Sequence, residues 1–266
     1  MVYTLVSGTA SDAYDLADRL DVFLVNTLGW NRSHTIASGA GSRDRVYNNT
    51  PPEAHGTLYA RFKADSNLIY NYAYSYYQQG GGYSTGAMGG TQETANPGSF
   101  SGSCGYWMFG DQNVVWLITN NTTSGTYYAS SVGYVDTYYC PKFDYLPVYV
   151  AGQRLDTLDF TSNRVMMYDS ASGTGYYHAE NYANLVKWGS PQHRDNTYFG
   201  MSVSVVNDTI GKYEIRGELP GIRQVYGSPF LSEDTAVISG TGQYIIMRHG
   251  NSINNTFMYG PYTQLV

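Results

Sequence analysis

Strict alternation of side-chain character along two neighbouring stretches is the feature that most limits how this chain can fold. In Thr57–Ala64, apolar residues stand at every second position, with Arg61 and Lys63 among the residues between them. In Leu68–Tyr77, four tyrosines stand at every second position. Because side chains on a β-strand point alternately to opposite faces, this period predicts strands with one face buried. The same alternation recurs in Phe199–Val205.

The composition favours strands and argues against several functional classes. The 266 residues include 28 Tyr and 30 Gly, and only 14% of them are charged. This balance is typical of strands and turns rather than of helical bundles or disordered chains. The formal net charge is −6 and no basic patch is visible, so we expect no direct binding to nucleic acid or to an anionic membrane. We also expect neither a signal peptide nor a membrane-spanning helix.

One amphipathic helix is predicted over residues 12–28. Ser11 is placed to cap its beginning, and Gly29 is placed to end it. Apolar residues recur at steps of three and four, which puts them on one side of a helix. The members of this stripe are Ala13, Leu16, Ala17, Leu20, Phe23, Leu24 and Leu28.

The rest of the chain predicts mainly strands. The uninterrupted apolar run Val114–Ile118 is typical of a strand buried on both faces. Gly110–Asn113 predicts the hairpin turn before it, and Pro220–Gly221 predicts a type II turn. Further strands are predicted at Gly105–Gly110, Thr126–Tyr134, Arg164–Asp169, Thr235–Ser239 and Gln243–Arg248. The predicted fold class is therefore mainly β, with antiparallel β-sandwich-like parts and one N-terminal amphipathic α-helix.

Two parts are predicted along the chain. Residues 1–140 combine the helix with a β-rich part, and residues 141–266 form a second β-rich part. Residues 79–103 are rich in Gly, Ser and Thr and poor in large apolar residues. Such a segment is either a linker or an arm that lies on a partner. The arm is the interpretation that we favour.

Several patterns with catalytic or metal-binding potential occur without the context that they need. Ser84 stands in a Gly-x-Ser-x-Gly pattern, but no helix-forming sequence follows it. Asp156 and Asp159 are candidates for the two carboxylates that a glycosidase needs, but nothing in the sequence indicates that they act as a pair. His178 and Glu180 could supply two metal ligands, but a third ligand cannot be named. Other acidic candidates are Glu218, Glu233 and Asp234. We therefore predict no enzyme, no metal site and no cofactor.

The two cysteines are too few for a disulfide framework. Cys104 and Cys140 could pair. Two free thiols in a reducing cytosol are the interpretation that we favour.

The tyrosine ladder in Leu68–Tyr77 is the strongest candidate for a functional surface. Tyrosine supplies a large, rigid contact area with a polar tip, and binding surfaces are enriched in it. The ladder could also be an inter-sheet core or a platform for sugar rings. The predicted partner-binding residues are Tyr70, Tyr72, Tyr74, Tyr76, Tyr83, Met88 and Phe100.

A resemblance extends over most of the chain. It rests on the order of five segments: Asn26–Trp30, Arg45–Tyr47, Leu58–Phe62, the Gly105–Asp111 segment that leads into Val114–Ile118, and Gly217–Ile222. This order resembles virion structural proteins of tailed bacteriophages, of the kind found in necks, tails and baseplates. The resemblance implies a structural role in rings or collars, without catalysis.

The expected function is therefore that of a non-enzymatic structural component of a tailed-phage virion. The expected partners are identical subunits in a symmetric ring or collar, together with other virion proteins. The expected location is the virion, after assembly in the host cytoplasm. The alternative is a glycan-binding or receptor-binding β module, and a lesser alternative is a β-rich hydrolase.

Overall fold

A computed structural model describes most of the N-terminal half of the chain and separate strands of the rest. The described residues are 2–50, 57–65, 68–74, 90–95, 102–121, 126–134, 136–137, 148–154, 165–169, 173–181, 198–207, 212–225, 235–238, 242–248 and 256–264.

The described residues are mainly β, with a short helix near the N-terminus, so this part of the predicted fold class is confirmed. The helix α1 spans Ala13–Val22. The strands are β1 (Tyr3–Ala10), β2 (Asn31–Ala37), β3 (Ser42–Asn49), β4 (Leu58–Asp65), β5 (Leu68–Tyr74), β6 (Gly90–Ala95), β7 (Cys104–Gly110), β8 (Val114–Asn121), β9 (Thr126–Tyr134), β10 (Asp136–Thr137), β11 (Val148–Arg154), β12 (Val165–Asp169), β13 (Gly173–Asn181), β14 (Tyr198–Asn207), β15 (Lys212–Val225), β16 (Thr235–Ile238), β17 (Gly242–Arg248) and β18 (Thr256–Gln264).

The helix buries the stripe that the sequence predicts. All seven stripe residues lie in one core cluster. The cap differs from the prediction, because Asp12 rather than Ser11 accepts the first-turn hydrogen bond, from the backbone N–H of Asp15 at 2.7 Å. Asp15 in turn accepts the backbone N–H of Ser11. The helix continues as a π-helical turn over Phe23–Thr27.

The large sheet is buried on both faces at its centre. Strands β1, β7, β8 and β9 are neighbours in it, and the predicted hairpin between β7 and β8 is confirmed by their antiparallel register. Along β8, Val115 and Leu117 belong to the core cluster that holds the helix. Trp116 and Ile118 belong to a second cluster on the opposite face. The prediction of a strand buried on both faces is therefore confirmed.

The large sheet is partly barrel-like, because β18 joins two of its distant strands. The first part of β18 pairs with β15, and its last part pairs in parallel with β1. The bond between Gly260 and Pro261 is cis and lies between these two parts. Residues of β1, β8, β17 and β18 pack together in the second core cluster, so strands of one sheet cover each other's inner face.

Pro220 and Gly221 are not a turn between two strands. Both lie inside β15, where the register with β14 shifts. The positive φ predicted for Gly221 is present, at 78°, and this glycine lies against Tyr3 and Phe109. The carbonyl oxygen of Pro220 accepts the indole N–H of Trp116 at 2.7 Å. The segment therefore anchors β15 to the second core.

The small sheet has the strand order β2–β3–β4–β5–β6 and is antiparallel throughout. Its inner face shares the first core cluster with the helix and with one face of the large sheet. The indole N–H of Trp30 donates to the carbonyl oxygen of Asp111 at 2.9 Å. This bond fixes the chain entering the small sheet against the β7–β8 hairpin.

Ion pairs join the helix to the small sheet. Asp18 accepts hydrogen bonds from Arg43 and Arg45 of β3. Burial alone would raise the pKa of Asp18, but these hydrogen bonds outweigh it and hold the pKa below its usual range. Asp21 accepts the hydroxyl of Tyr47 at 2.8 Å and pairs with Arg32 of β2 at 2.9 Å. Two turns of the helix are thus fastened to the sheet.

Part of the 79–103 segment belongs to the small sheet. Residues Gly90–Ala95 form β6, which pairs with β5. Residues 79–89 and 96–101 lie outside the described residues, and the arm that we predict there stays a prediction. The division at residue 140 also stays a prediction, and the large sheet contains strands from both sides of it.

Candidate functional site

One face of the small sheet carries a half-exposed array of aromatic and charged side chains. On β4, Leu58, Ala60, Phe62 and Ala64 are buried, and the residues between them are half-exposed. On β5, Ile69 is buried and Tyr70 and Tyr72 are half-exposed. We call this surface the outer face, and it consists of Tyr59, Arg61, Lys63, Asp65, Tyr70 and Tyr72.

The register of β4 and β5 places each cation of the outer face beside a tyrosine. Lys63 is opposite Tyr70, and Arg61 is opposite Tyr72. The ammonium nitrogen of Lys63 lies 5.6 Å from the centroid of the Tyr70 ring. The guanidinium carbon of Arg61 lies 5.0 Å from the centroid of the Tyr72 ring. Each such cation–π contact contributes about 0.5–1 kcal/mol at an exposed site, so both rings are held against β4.

A buried carboxylate fixes the position of Arg61. Asp44 of β3 is only 4% exposed. It accepts hydrogen bonds from Nε of Arg61 at 2.8 Å and from Nη2 at 2.6 Å. This two-point geometry holds the plane of the guanidinium group. Asp44 therefore orients Arg61, and Arg61 supports the ring of Tyr72.

Lys63 is held in a similar way, but closer to solvent. Its ammonium group donates to Asp65 at 3.0 Å. This hydrogen bond, together with the nearby charge of Asp65, raises the pKa of Lys63 above its ordinary value. Lys63 therefore stays charged across the physiological pH range. The two cations and two carboxylates of this region balance each other.

The structure places two predicted site residues on the outer face. Tyr70 and Tyr72 are half-exposed and belong to neither core cluster, so the inter-sheet core interpretation is wrong for these two. Tyr74 lies in β5, with its backbone opposite Tyr59. Tyr76, Tyr83, Met88 and Phe100 lie outside the described residues.

The sequence interpretation missed the charged partners of the tyrosines. The alternation in Thr57–Ala64 already puts Arg61 and Lys63 on one side of a strand. What it lacks is the pairing register, because neighbouring strands can slide by two residues and keep the same faces. The role of Asp44 in orienting Arg61 has no local signal in the sequence, because Asp44 lies on β3 and Arg61 on β4.

The residues considered for catalysis do not form a described site. Ser84, Asp156 and Asp159 lie outside the described residues, as do Glu233 and Asp234. His178 and Glu180 lie in β13, with their backbones opposite Ser204 and Ser202, and Glu218 lies in β15. Within the described ranges, no three His, Cys, Asp or Glu residues are close enough together to hold a metal ion.

Cys104 is a free thiol at the beginning of β7. Burial raises its pKa to about 11. The thiol is therefore almost entirely protonated at neutral pH, and this makes it a weak nucleophile. Cys140 lies outside the described residues.

The chain matches no family model, and no curated protein is significantly similar to it. None of the helices in the described ranges is both long enough and apolar enough to cross a lipid bilayer.

Proposed function

We propose that the protein is a non-enzymatic structural component of a tailed-phage virion, located in its tail, neck or baseplate. In this proposal it assembles with identical subunits into a ring or collar, and it contacts other virion proteins. The outer face of the small sheet is one contact surface, and the predicted arm within residues 79–103 is another. The mechanism is binding without chemistry.

The observation that carries this proposal is the arrangement of Tyr70 and Tyr72. Both rings are already positioned by cations, and Arg61 is positioned by a buried carboxylate. Ordering flexible side chains at an interface opposes binding by about 0.5–1.5 kcal/mol for each one immobilised. A surface whose side chains are ordered beforehand avoids part of that loss. Tyrosine and arginine are also the residues that dominate binding at protein interfaces.

The proposal includes a sandwich-like packing of the small sheet on the large sheet. The small sheet lies over the face of the large sheet that carries Met108, Leu117 and Val132, and both contribute to the first core. The helix fills the same space between the two sheets. A layered body of this kind leaves the outer face directed away from the core.

The proposal is tested by the molar mass of the purified full-length chain in solution. Light scattering after size-exclusion chromatography at micromolar concentration is expected to give a defined oligomer, and negative-stain images are expected to show rings or collars. A stable monomer at these concentrations would contradict the proposal.

A glycan-binding module is the second candidate, and the exposure of Tyr70 and Tyr72 favours it over a buried ladder. A glycan array with the full-length chain separates the two functions. Specific hits that are lost in a Tyr70→Ala, Tyr72→Ala double variant, from a protein that stays monomeric, would replace the virion proposal by this one.

A further inference from the structure

We propose that the outer face of the small sheet binds the outer face of a second copy of this chain, through a twofold axis. This inference rests on the proposed function, because it assumes that the protein self-assembles. It adds the identity of the partner surface, which is the same surface rather than a different one.

Charge balance is the first argument. The chain carries a formal net charge of −6. On the outer face, however, Arg61 is neutralised by Asp44 and Lys63 by Asp65. The excess negative charge therefore lies elsewhere on the molecule. Two copies that meet through this face therefore do not repel each other electrostatically. Nucleic acid or an anionic membrane would need a net positive charge, and this face has none.

Chemical self-complementarity is the second argument. A twofold contact requires a surface that contains the partners of its own groups. The outer face contains a row of cations on β4 and a row of tyrosines on β5, side by side. A twofold axis that lies in the interface, parallel to the strands and midway between β4 and β5, lays the cation row of one copy over the tyrosine row of the other. The cations of each copy then lie opposite the tyrosines of the other, and cations and aromatic rings attract each other.

Size is the third argument. The small sheet has five strands of six to eight residues. Strands lie about 4.8 Å apart and rise about 3.3 Å per residue, so the side of the sheet on which the outer face lies covers roughly 550 Å² in projection, and β4 and β5 supply about two fifths of it. Protruding tyrosine and arginine side chains increase the accessible area towards the ~800 Å² that each partner buries in a standard interface.

The test compares two double variants of the full-length chain that add the same charge. Tyr70→Glu with Tyr72→Glu puts two carboxylates on the outer face. Val2→Glu with Val22→Glu is the control, because these two residues are 57% and 54% exposed and lie outside that face. Circular dichroism and thermal unfolding establish that each variant is folded. If the glutamate variant fails to fold, Tyr72→Thr replaces it, since threonine favours strands.

The oligomer is measured by analytical ultracentrifugation over a range of concentrations. The wild type and the control are expected to contain pairs. In the outer-face variant, pairing is expected to be weakened, so that the concentration at which half of the chains are paired rises at least about tenfold. An unchanged midpoint in the variant overturns this inference but leaves self-assembly, and hence the proposed function, intact. A wild type that is monomeric overturns both.

A mixing experiment tests the twofold geometry. In a head-to-tail contact, the variant keeps its second surface and binds the wild type with normal affinity. In a face-to-face contact, every pair that includes the variant lacks one intact face. Tagged variant is therefore expected to retain at least about tenfold less wild-type chain than tagged control does. Equal retention would overturn the twofold arrangement.

Discussion

Replacing Asn71 by leucine is expected to stabilise the fold, although it removes a polar side chain from the middle of a sheet. Asn71 lies on the inner face of β5, opposite Phe62 on β4 and Ala95 on β6. Its side chain is fully buried, with 0% exposure. Neither Nδ2 nor Oδ1 of its amide has a hydrogen-bond partner in the structure.

The magnitude follows from the two unsatisfied amide groups. Burying a polar group without a partner costs about 1–3 kcal/mol, and burying a leucine side chain contributes about 1.5–3 kcal/mol. Leucine has as many side-chain heavy atoms as asparagine but a clearly larger volume, and fitting it into a packed core opposes these gains by about 1–3 kcal/mol. Counting the unsatisfied amide once and taking the middle of each range, the net expectation for Asn71→Leu is an increase of about 2 kcal/mol in the free energy of unfolding.

Guanidinium unfolding of the wild type and the variants measures this difference. The expected result for Asn71→Leu is a higher midpoint with an unchanged slope, which indicates a change in stability alone. Asn71→Asp is the opposite test, because a buried carboxylate without a partner is expected to destabilise the fold by about 3 kcal/mol or more. Asn26→Leu is the control at an exposed position and is expected to change stability by less than about 0.5 kcal/mol.

One outcome would refute this reasoning. If Asn71→Leu lowers the free energy of unfolding by more than about 1 kcal/mol, the amide makes hydrogen bonds in the folded protein that the packing of β5 does not reveal. A buried water molecule would then be the first group to seek there by crystallography.

Three further perturbations test other parts of the structure. The pKa of Asp18 is lowered in the fold, so its carboxylate stabilises the protein above the unfolded pKa of about 4, and this contribution is lost as the pH falls through the lower folded pKa. Asp18→Asn is expected to remove this acid sensitivity, which is measured as the fall of the urea midpoint below about pH 4. At pH 7 the same substitution is expected to lower the free energy of unfolding by only about 1 kcal/mol, because the Asp18 side chain is 44% exposed and screened by water. A Cβ on Gly110 would clash with the carbonyl oxygen of Val114, so Gly110→Ala is expected to lower the free energy of unfolding by about 3 kcal/mol or more. Gly39→Ala is the control, because a Cβ there meets no atom within 4 Å, and it is expected to be nearly neutral. Thermal unfolding of both variants measures the difference. A double-mutant cycle on Arg61→Ala and Tyr72→Ala is expected to give a coupling of about 0.5–1 kcal/mol in urea unfolding, and a coupling near zero would contradict the cation–π contact.

Local patterns in the sequence predicted the helix and many strands correctly. The helical stripe from Ala13 to Leu28 is buried as expected. Its apolar side chains lie on one side of the helix, so packing that side against the sheets buries all of them together. Thr126–Tyr134 matches β9 at both ends. The cap was misplaced by one residue, since Ser11 and Asp12 are both good caps. Nothing local decides which of them adopts the capping geometry.

Long-range relations were not available from the sequence. Pro220–Gly221 has the composition of a turn, yet packing against Trp116 places it inside a long strand. The parallel pairing of β1 with β18 joins residues near the two ends of the described chain, and no local pattern marks it. The register that pairs Arg61 with Tyr72 is likewise set by the packing of the whole sheet.

The two burial patterns together explain why the outer face exists. A run without alternation, such as Val114–Ile118, needs covering layers on both sides, and the structure supplies both. Strands β4 and β5 alternate, so the energy of folding depends on covering only their inner side. Their outer side is then free to carry residues chosen for another purpose. Each cation–π pair contributes only about 0.5–1 kcal/mol to folding there, and tyrosine is enriched at protein interfaces, so binding is the role that we propose for these residues.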